Sequence, residues 1–288
     1  MVKIVADSTC DLSPELVERY KVTILPLHIL LGEKEFEDGK TIQPDEIYEW
    51  SDANKMTPKT SAPSMEAAVE TFRTILEEGN EIVSFAISES MSTSANVMRL
   101  AAEELEAAER VTVIDSANLS TGIGLLVVEA AIMAQEGKEA AQIKERMTEL
   151  IPRVRASFVV DTLVYLHRGG RCGGLSAMLG AAIKLHPRII VSNGNMSSDR
   201  KYRGKLKAVV LNYTKDLEAG MRDAMPERVF ITHSGCKQEI VDAVREYLQT
   251  LGIFQEILVT RAGGVVSSHC GPGTLGVLYI ARNAGTDF

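Results

Sequence analysis

Along the first half of the chain, apolar and polar positions fall into blocks that switch between short solid runs and helical spacing. Residues 2–6 are an apolar run that stops at Asp7-Ser8-Thr9, the pattern of a buried strand. Ser13-Pro14-Glu15 then supplies an N-cap, a proline at the first helical position and an acidic first turn. Residues 22–31 read as a strand interrupted by Pro26, and 44–50 as a short helix. In 64–78, Ala67, Ala68, Phe72, Ile75 and Leu76 recur at helical spacing before Gly79-Asn80 ends the segment. A strand over 81–87, a helix over 93–108 and a strand over 110–114 follow, then a long apolar helix over 120–136 stopped by Gly137.

Strands that alternate with helices predict parallel βαβ units, with ligands beyond the carboxyl ends of the strands. Asp7-Ser8-Thr9, residues 88–94 and Asp115-Ser116 all fall at such ends. After Pro152 the texture changes. Residues 156–160, 188–192, 207–211, 229–233 and 256–260 read as strands, and 176–185, 214–224 and 237–250 as helices. Asn193-Gly194-Asn195 reads as a hairpin turn. The expected fold class is α/β. An N-terminal domain over 1–152 has a mostly parallel sheet flanked by helices. A C-terminal mixed α+β domain covers 153–288, and a ligand sits between the two.

Composition narrows the function. The 288 residues are 45% hydrophobic and 24% charged, enough for two cores. Aromatics are 5% and the net charge is −8 with no basic tract, which disfavours nucleic-acid binding. Cys10, Cys172, Cys236 and Cys270 form no CxxC pair. Met1 leads straight into a strand signal, and no apolar run reaches spanning length. A reduced, cytoplasmic protein without stable membrane insertion is expected.

The candidate chemistry is dominated by hydroxyls. Thr60-Ser61-Ala62-Pro63-Ser64 and the 88–94 segment each string hydroxyls and free N–H groups along a turn entering a helix, a ready cradle for an anion. Each is equally readable as an ordinary helix entry. GxSxG, HExxH and GxxxxGK are absent, and Gly122-Ile123-Gly124 lacks the third glycine of a dinucleotide fingerprint. Those two glycines read either as close helix packing or as backbone exposed beside a ligand. Residues 168–174 form a glycine-rich loop with Arg168 and Arg171, either a link or an anion contact. His269 stands beside Gly271-Pro272-Gly273, which would hold it in a fixed pose. A metal site from His233, Cys236, His269 and Cys270 fits no known ligand spacing. Residues 201–207 are a basic knot, read as a solvated surface or a docking patch.

Asp7-Ser8-Thr9-Cys10-Asp11-Leu12, Thr60-Ser61-Ala62-Pro63-Ser64, Asp115-Ser116 with Ser120, Gly122 and Gly124, Gly169-Gly170-Arg171, Arg203-Gly204 and His269-Cys270-Gly271-Pro272-Gly273 occur in that order. No one of these motifs is specific. As an ordered set over nearly the whole chain they resemble the DegV family. The resemblance implies a two-domain fatty-acid-binding protein, a carrier that needs no cofactor and is not catalytic alone. It would present a long-chain fatty acid to a separate fatty acid kinase, whose acyl phosphate product feeds phospholipid synthesis. Thr60 and Ser92 would hold the carboxylate and His269 would complete the network. Ser61, Thr93 and Arg171 would stand near the head group. The helix with Gly122 and Gly124 would line the acyl tunnel, and Arg203 would face the kinase. Three positions depart from the family pattern: Ala62 replaces the usual Gln, Thr93 the usual Gly, and Cys172 an aliphatic residue. They bear on the head-group pocket and the preferred acyl chain. From the residues alone a rival stays open: a hydrolase or transferase for a small acidic metabolite, with Ser92 as nucleophile and His269 as base. A metabolite-sensing module is a third reading.

Overall fold

A computed structural model describes residues 1–170 and 185–285. The first half runs β1 (Val2–Asp7), α1 (Pro14–Tyr20), β2 (Thr23–Leu25), β3 (His28–Leu31), β4 (Lys34–Glu37), α2 (Pro44–Asn54), β5 (Lys59–Ser61), α3 (Met65–Glu77), β6 (Glu81–Ala86), α4 (Ser94–Glu104), β7 (Val111–Asp115), α5 (Thr121–Gln135) and α6 (Ala140–Leu150). The second half runs β8 (Val154–Val159), α7 (Val164–Arg168), β9 (Leu185–Ser192), β10 (Asn195–Arg203), α8 (Leu206–Asp216), α9 (Glu218–Met221), β11 (Ala224–Ser234), α10 (Gln238–Leu251), β12 (Glu256–Arg261), α11 (Gly264–Cys270) and β13 (Thr274–Ala281).

The fold is α/β. One sheet has the order β2-β1-β6-β7 with every pair parallel. Its strands are solid apolar runs because both faces are covered. Val5 and Ile82 pack with Phe72 of α3 and Met98 of α4, whereas Ile4, Val83 and Phe85 pack with α5 and α6. A second, mixed sheet has the order β10-β9-β8-β13-β11-β12, antiparallel except for β11–β12. A small antiparallel sheet, β4-β3-β5, sets Thr60 opposite Ile29.

α5 lies between the two large sheets, touching β1 and β6 on one side and β8, β11 and β13 on the other. It is apolar on nearly every face, with Glu129 paired to Arg228 as the exception, as a helix buried between two sheets must be. Gly122 and Gly124 serve this packing. A Cβ on Gly124 would lie 2.9 Å from the Cys10 carbonyl oxygen and 3.0 Å from Leu12 Cδ2, and one on Gly122 would overlap the Asn118 side chain. Gly124→Ala is expected to destabilise the chain by about 1–2 kcal/mol, because overpacking outweighs the gain in helix propensity. A urea midpoint equal to that of the wild type would mean that the backbone at Cys10 moves aside freely.

The structure departs from the sequence reading in several places. Residues 207–211, expected as a strand, are the first turns of α8, with Val209, Val210 and Tyr213 on its buried face. Two adjacent β-branched valines imitate a strand there. The helix expected over 214–224 is the end of α8 followed by α9. β4, β5, α6, α7, α11 and β13 have no counterpart in the sequence reading. The expected helix over 176–185 lies outside the described residues, except for Leu185, which opens β9.

Candidate functional site

The carboxyl ends of the parallel strands tie down the loop that follows β6. The Ile87 amide donates to Asp7 Oδ2 at 2.9 Å, and the Glu89 amide to Asp115 Oδ1 at 3.3 Å. Within the loop, the Met91 and Ser92 amides both donate to the Ser88 carbonyl, at 2.9 and 3.1 Å. The Ser88 hydroxyl donates to the Gly194 carbonyl at 2.8 Å, and the Ser90 hydroxyl donates to the same oxygen. That carbonyl belongs to the turn between β9 and β10. There Asn193 and Gly194 both have positive φ, 48° and 76°, as a two-residue hairpin requires. The serine loop of one sheet is thus tied to the hairpin of the other.

α11 brings the histidine. It is a seven-residue helix whose N-terminus is gripped by two distant carboxylates. The Gly263 amide donates to Asp11 Oδ1 at 2.8 Å and the Gly264 amide to Asp38 Oδ1 at 2.7 Å. Its last turn carries His269, whose Nε2 lies 2.8 Å from Thr60 Oγ1 on β5. Gly169, just past α7, packs against the Nδ1–Cε1 edge of the imidazole.

Between these parts lies a cavity of about 440 Å³. Thr60, Ser61, Ser92, Thr93 and His269 line its polar side, and Ala62 lies among them. Leu27, Ile87, Leu119, Leu166, Met196 and Val266 line its apolar side. Thr60, Ser92 and His269 are half-buried, whereas Ser61 and Thr93 are exposed. Ser92 Oγ lies 2.9 Å from Ser94 Oγ. Among the described lining residues Glu89 carries the one formal charge, and it is exposed and paired with Arg99. A smaller void of about 20 Å³ shares Leu119, Val266 and Cys270 with the cavity and continues toward Phe158 and Leu278. His233 also borders it, with its pKa lowered by burial and by Arg261. Chemically, the arrangement offers an acidic group neutral donors at the mouth and hydrocarbon behind them.

The remaining sequence candidates stand elsewhere. Gly122 and Gly124 are not among the cavity's described lining residues, for the packing reason given above. Arg203 is exposed at the far end of β10, seven residues from Met196 and so roughly 23 Å away along the strand. Arg171 and Cys172 lie outside the described residues. Among the described residues no group of three or more His, Cys, Asp or Glu could hold a metal ion, and no helix is long and apolar enough to cross a membrane. Sequence reasoning missed the apolar wall. For Met196 a signal existed, since a hairpin turn at Asn193-Gly194 places the next residues at a sheet end. For Leu166 and Asp38 there was none.

Three further carboxylates shape the surroundings. Burial pushes Asp11 up to about 8, against the lowering pull of its bonds from Ser120 and Gly263. Burial likewise raises Asp7 to about 6 and raises Asp38.

A parallel sheet and a mixed sheet, tied together through the Gly194 carbonyl, flank an apolar cavity whose polar side is built mainly from hydroxyls and one imidazole. The family model described as "Uncharacterised protein, DegV family" matches residues 1–282, and the chain belongs to that family. A DegV domain-containing protein of Deinococcus radiodurans is 33% identical over 281 residues, covering 96% of this chain and 97% of that one. Among solved structures, a DegV family protein from Thermus thermophilus, described by its fatty acid binding, is 31% identical. Its TM-score is 0.89, with 97% of this chain and 99% of that chain covered. A stearic-acid-binding protein from Eubacterium ventriosum is 30% identical with a TM-score of 0.86, covering 98% and 99%.

Proposed function

We propose that this chain binds a long-chain fatty acid in the 440 Å³ cavity, with the carboxylate at Thr60, Ser92 and His269, and presents it to a separate kinase for phosphorylation. The observation that carries the reading is the 2.8 Å contact between Thr60 Oγ1 and His269 Nε2 at the rim of an apolar cavity. The similar proteins described as binding fatty acids support it. Roughly a dozen buried methylenes at about 0.8 kcal/mol each give on the order of 10 kcal/mol gross, before ordering costs. Hydrogen bonds to the carboxylate add about 1.5–3 kcal/mol each and fix the register. The tail therefore supplies most of the affinity and the head group its orientation. A partner that brings ATP and metal would do the chemistry, and the exposed basic stretch around Arg203 is the proposed contact with it. Such a carrier works in the cytoplasm, where lipid kinases find their nucleotide.

The rival hydrolase reading needs Ser92 and His269 in contact. His269 Nε2 instead faces Thr60, and Ser92 Oγ lies beside Ser94 Oγ. Mass spectrometry of the denatured protein is expected to find co-purified fatty acid, or the stripped protein to take up added palmitate. If neither happens, the carrier reading fails. Ser92→Ala and His269→Ala are each expected to speed fatty-acid release roughly tenfold, the loss of one charge-assisted bond, in a stopped-flow chase with excess unlabelled lipid. Turnover of ester or phosphoester substrates by the isolated chain would favour the rival.

A further inference from the structure

We infer that Gly169 is a positioning residue for the head-group histidine, because the space of its missing side chain is filled by the His269 imidazole and this holds the ring against Thr60. The inference rests on the fatty-acid reading above and extends it to a residue that is not among the cavity's described lining residues.

Gly169 follows the last residue of α7, and its amide donates to the Tyr165 carbonyl at 2.9 Å. Its backbone, at φ −73° and ψ −7°, is right-handed helical and open to any residue. Glycine is therefore not required there by the backbone. What excludes a side chain is the histidine: a Cβ would overlap Nδ1 and stand 2.8 Å from Cε1. The Nδ1–Cε1 edge of the ring fills the space beside Gly169, and Nε2, the next ring atom after Cε1, meets Thr60.

The slot cannot widen easily, because a second glycine locks the same two helices. Gly271 caps α11 at φ +73°, and the Tyr165 ring of α7 occupies the place of its side chain, with Cγ 2.8 Å from where a Cβ would stand. α7 and α11 are thus keyed together at both ends of one short contact. Leu166, also on α7, lines the cavity wall. An alanine at 169 leaves the backbone unstrained and pushes on the imidazole, the nearest side chain among the described residues. The Thr60 contact is lost while the fold is kept.

A double-mutant cycle on the full-length protein tests this, with release of a fluorescent fatty acid as the measurement. Gly169→Ala is expected to speed release roughly tenfold, as His269→Ala does, and the double variant no further, because both remove the same contact. Wild-type release from Gly169→Ala, or an undiminished effect in the His269→Ala background, overturns the inference. A second measurement needs neither lipid nor a Gly169 variant. The Gly169 Hα resonances in the lipid-free protein are expected to be displaced by the imidazole ring current, and to return toward ordinary glycine values in His269→Ala. Unchanged resonances overturn the inference even if Gly169→Ala does not fold. Failure of the wild type to take up fatty acid sinks the carrier reading instead, and the resonance test still decides the place of the ring.

Discussion

Between pH 5 and pH 9, Asp11→Asn is expected to gain about 4 kcal/mol of stability relative to the wild type. Asp11 is buried with its carboxylate between the Ser120 hydroxyl and the Gly263 amide. Burial pushes its pKa up to about 8, and the neighbouring Asp38 and Asp7 add to the rise. An acid whose folded pKa stands above its unfolded one binds more protons when folded. Stability therefore falls as pH rises between the two values and levels off above the upper one. For Asp11 that window runs from about pH 4, the unfolded value, to about 8. Three of its units lie above pH 5, each worth about 1.4 kcal/mol.

Asparagine removes the titration without removing the contacts. Its Oδ1 can accept from Gly263 and its Nδ2 can donate to the Ser120 hydroxyl. The φ of 52° at this position is one that asparagine tolerates as readily as aspartate. Asp7 and Asp38 give both proteins a residual slope, so the difference between the two is the quantity to follow. Urea denaturation at pH 5 and at pH 9 measures it. A constant gap between the two proteins would mean that Asp11 is ionised in the fold at pH 5.

Val266→Phe is expected to weaken palmitate binding roughly 50-fold while leaving the melting temperature unchanged or higher. Val266 is buried and lines both the large cavity and the small void beyond it, so it stands where the tail would pass. A phenyl ring there displaces about three methylenes at about 0.8 kcal/mol each, which converts to that factor. Overpacking in a filled core costs about 1–3 kcal/mol, but here the ring enters open space. A shorter acid such as octanoate should lose affinity as well, because Val266 stands one helical turn from His269 and within reach of an eight-carbon tail. Fluorescence titration with both acids, beside a thermal melt, reads the result. Equal affinity of wild type and variant for palmitate would place the tail elsewhere.

Local signals made the parallel sheet legible. Ser13 caps α1 with its side chain, as the Ser-Pro-Glu sequence implies, and the apolar runs at 2–6 and 81–87 are buried on both faces. The Asn-Gly hairpin was legible because its turn chemistry is contained in two residues. α11 was not. Its residues, Gly-Val-Val-Ser-Ser-His-Cys, carry no capping side chain, and its first amides are satisfied by Asp11 and Asp38, 252 and 226 residues away. No window of sequence holds that information. For the same reason Thr60 and His269, 209 residues apart, could be paired only through a family resemblance. β4 escaped because it is a charged edge strand, and β5 because it is three polar residues with no apolar position to mark it. β13 is buried at every position and so shows no alternation to mark it.

The place of β13 bears on how the protein is made. It runs through the middle of the mixed sheet, hydrogen-bonded to β8 on one side and β11 on the other, yet among the described strands it is the last to leave the ribosome. Until it emerges, β10-β9-β8 and β11-β12 are two separate ribbons, each with an apolar edge waiting for the same partner. A premature stop codon just before Thr274 would spare β1 through β12 and still divide the sheet at its centre.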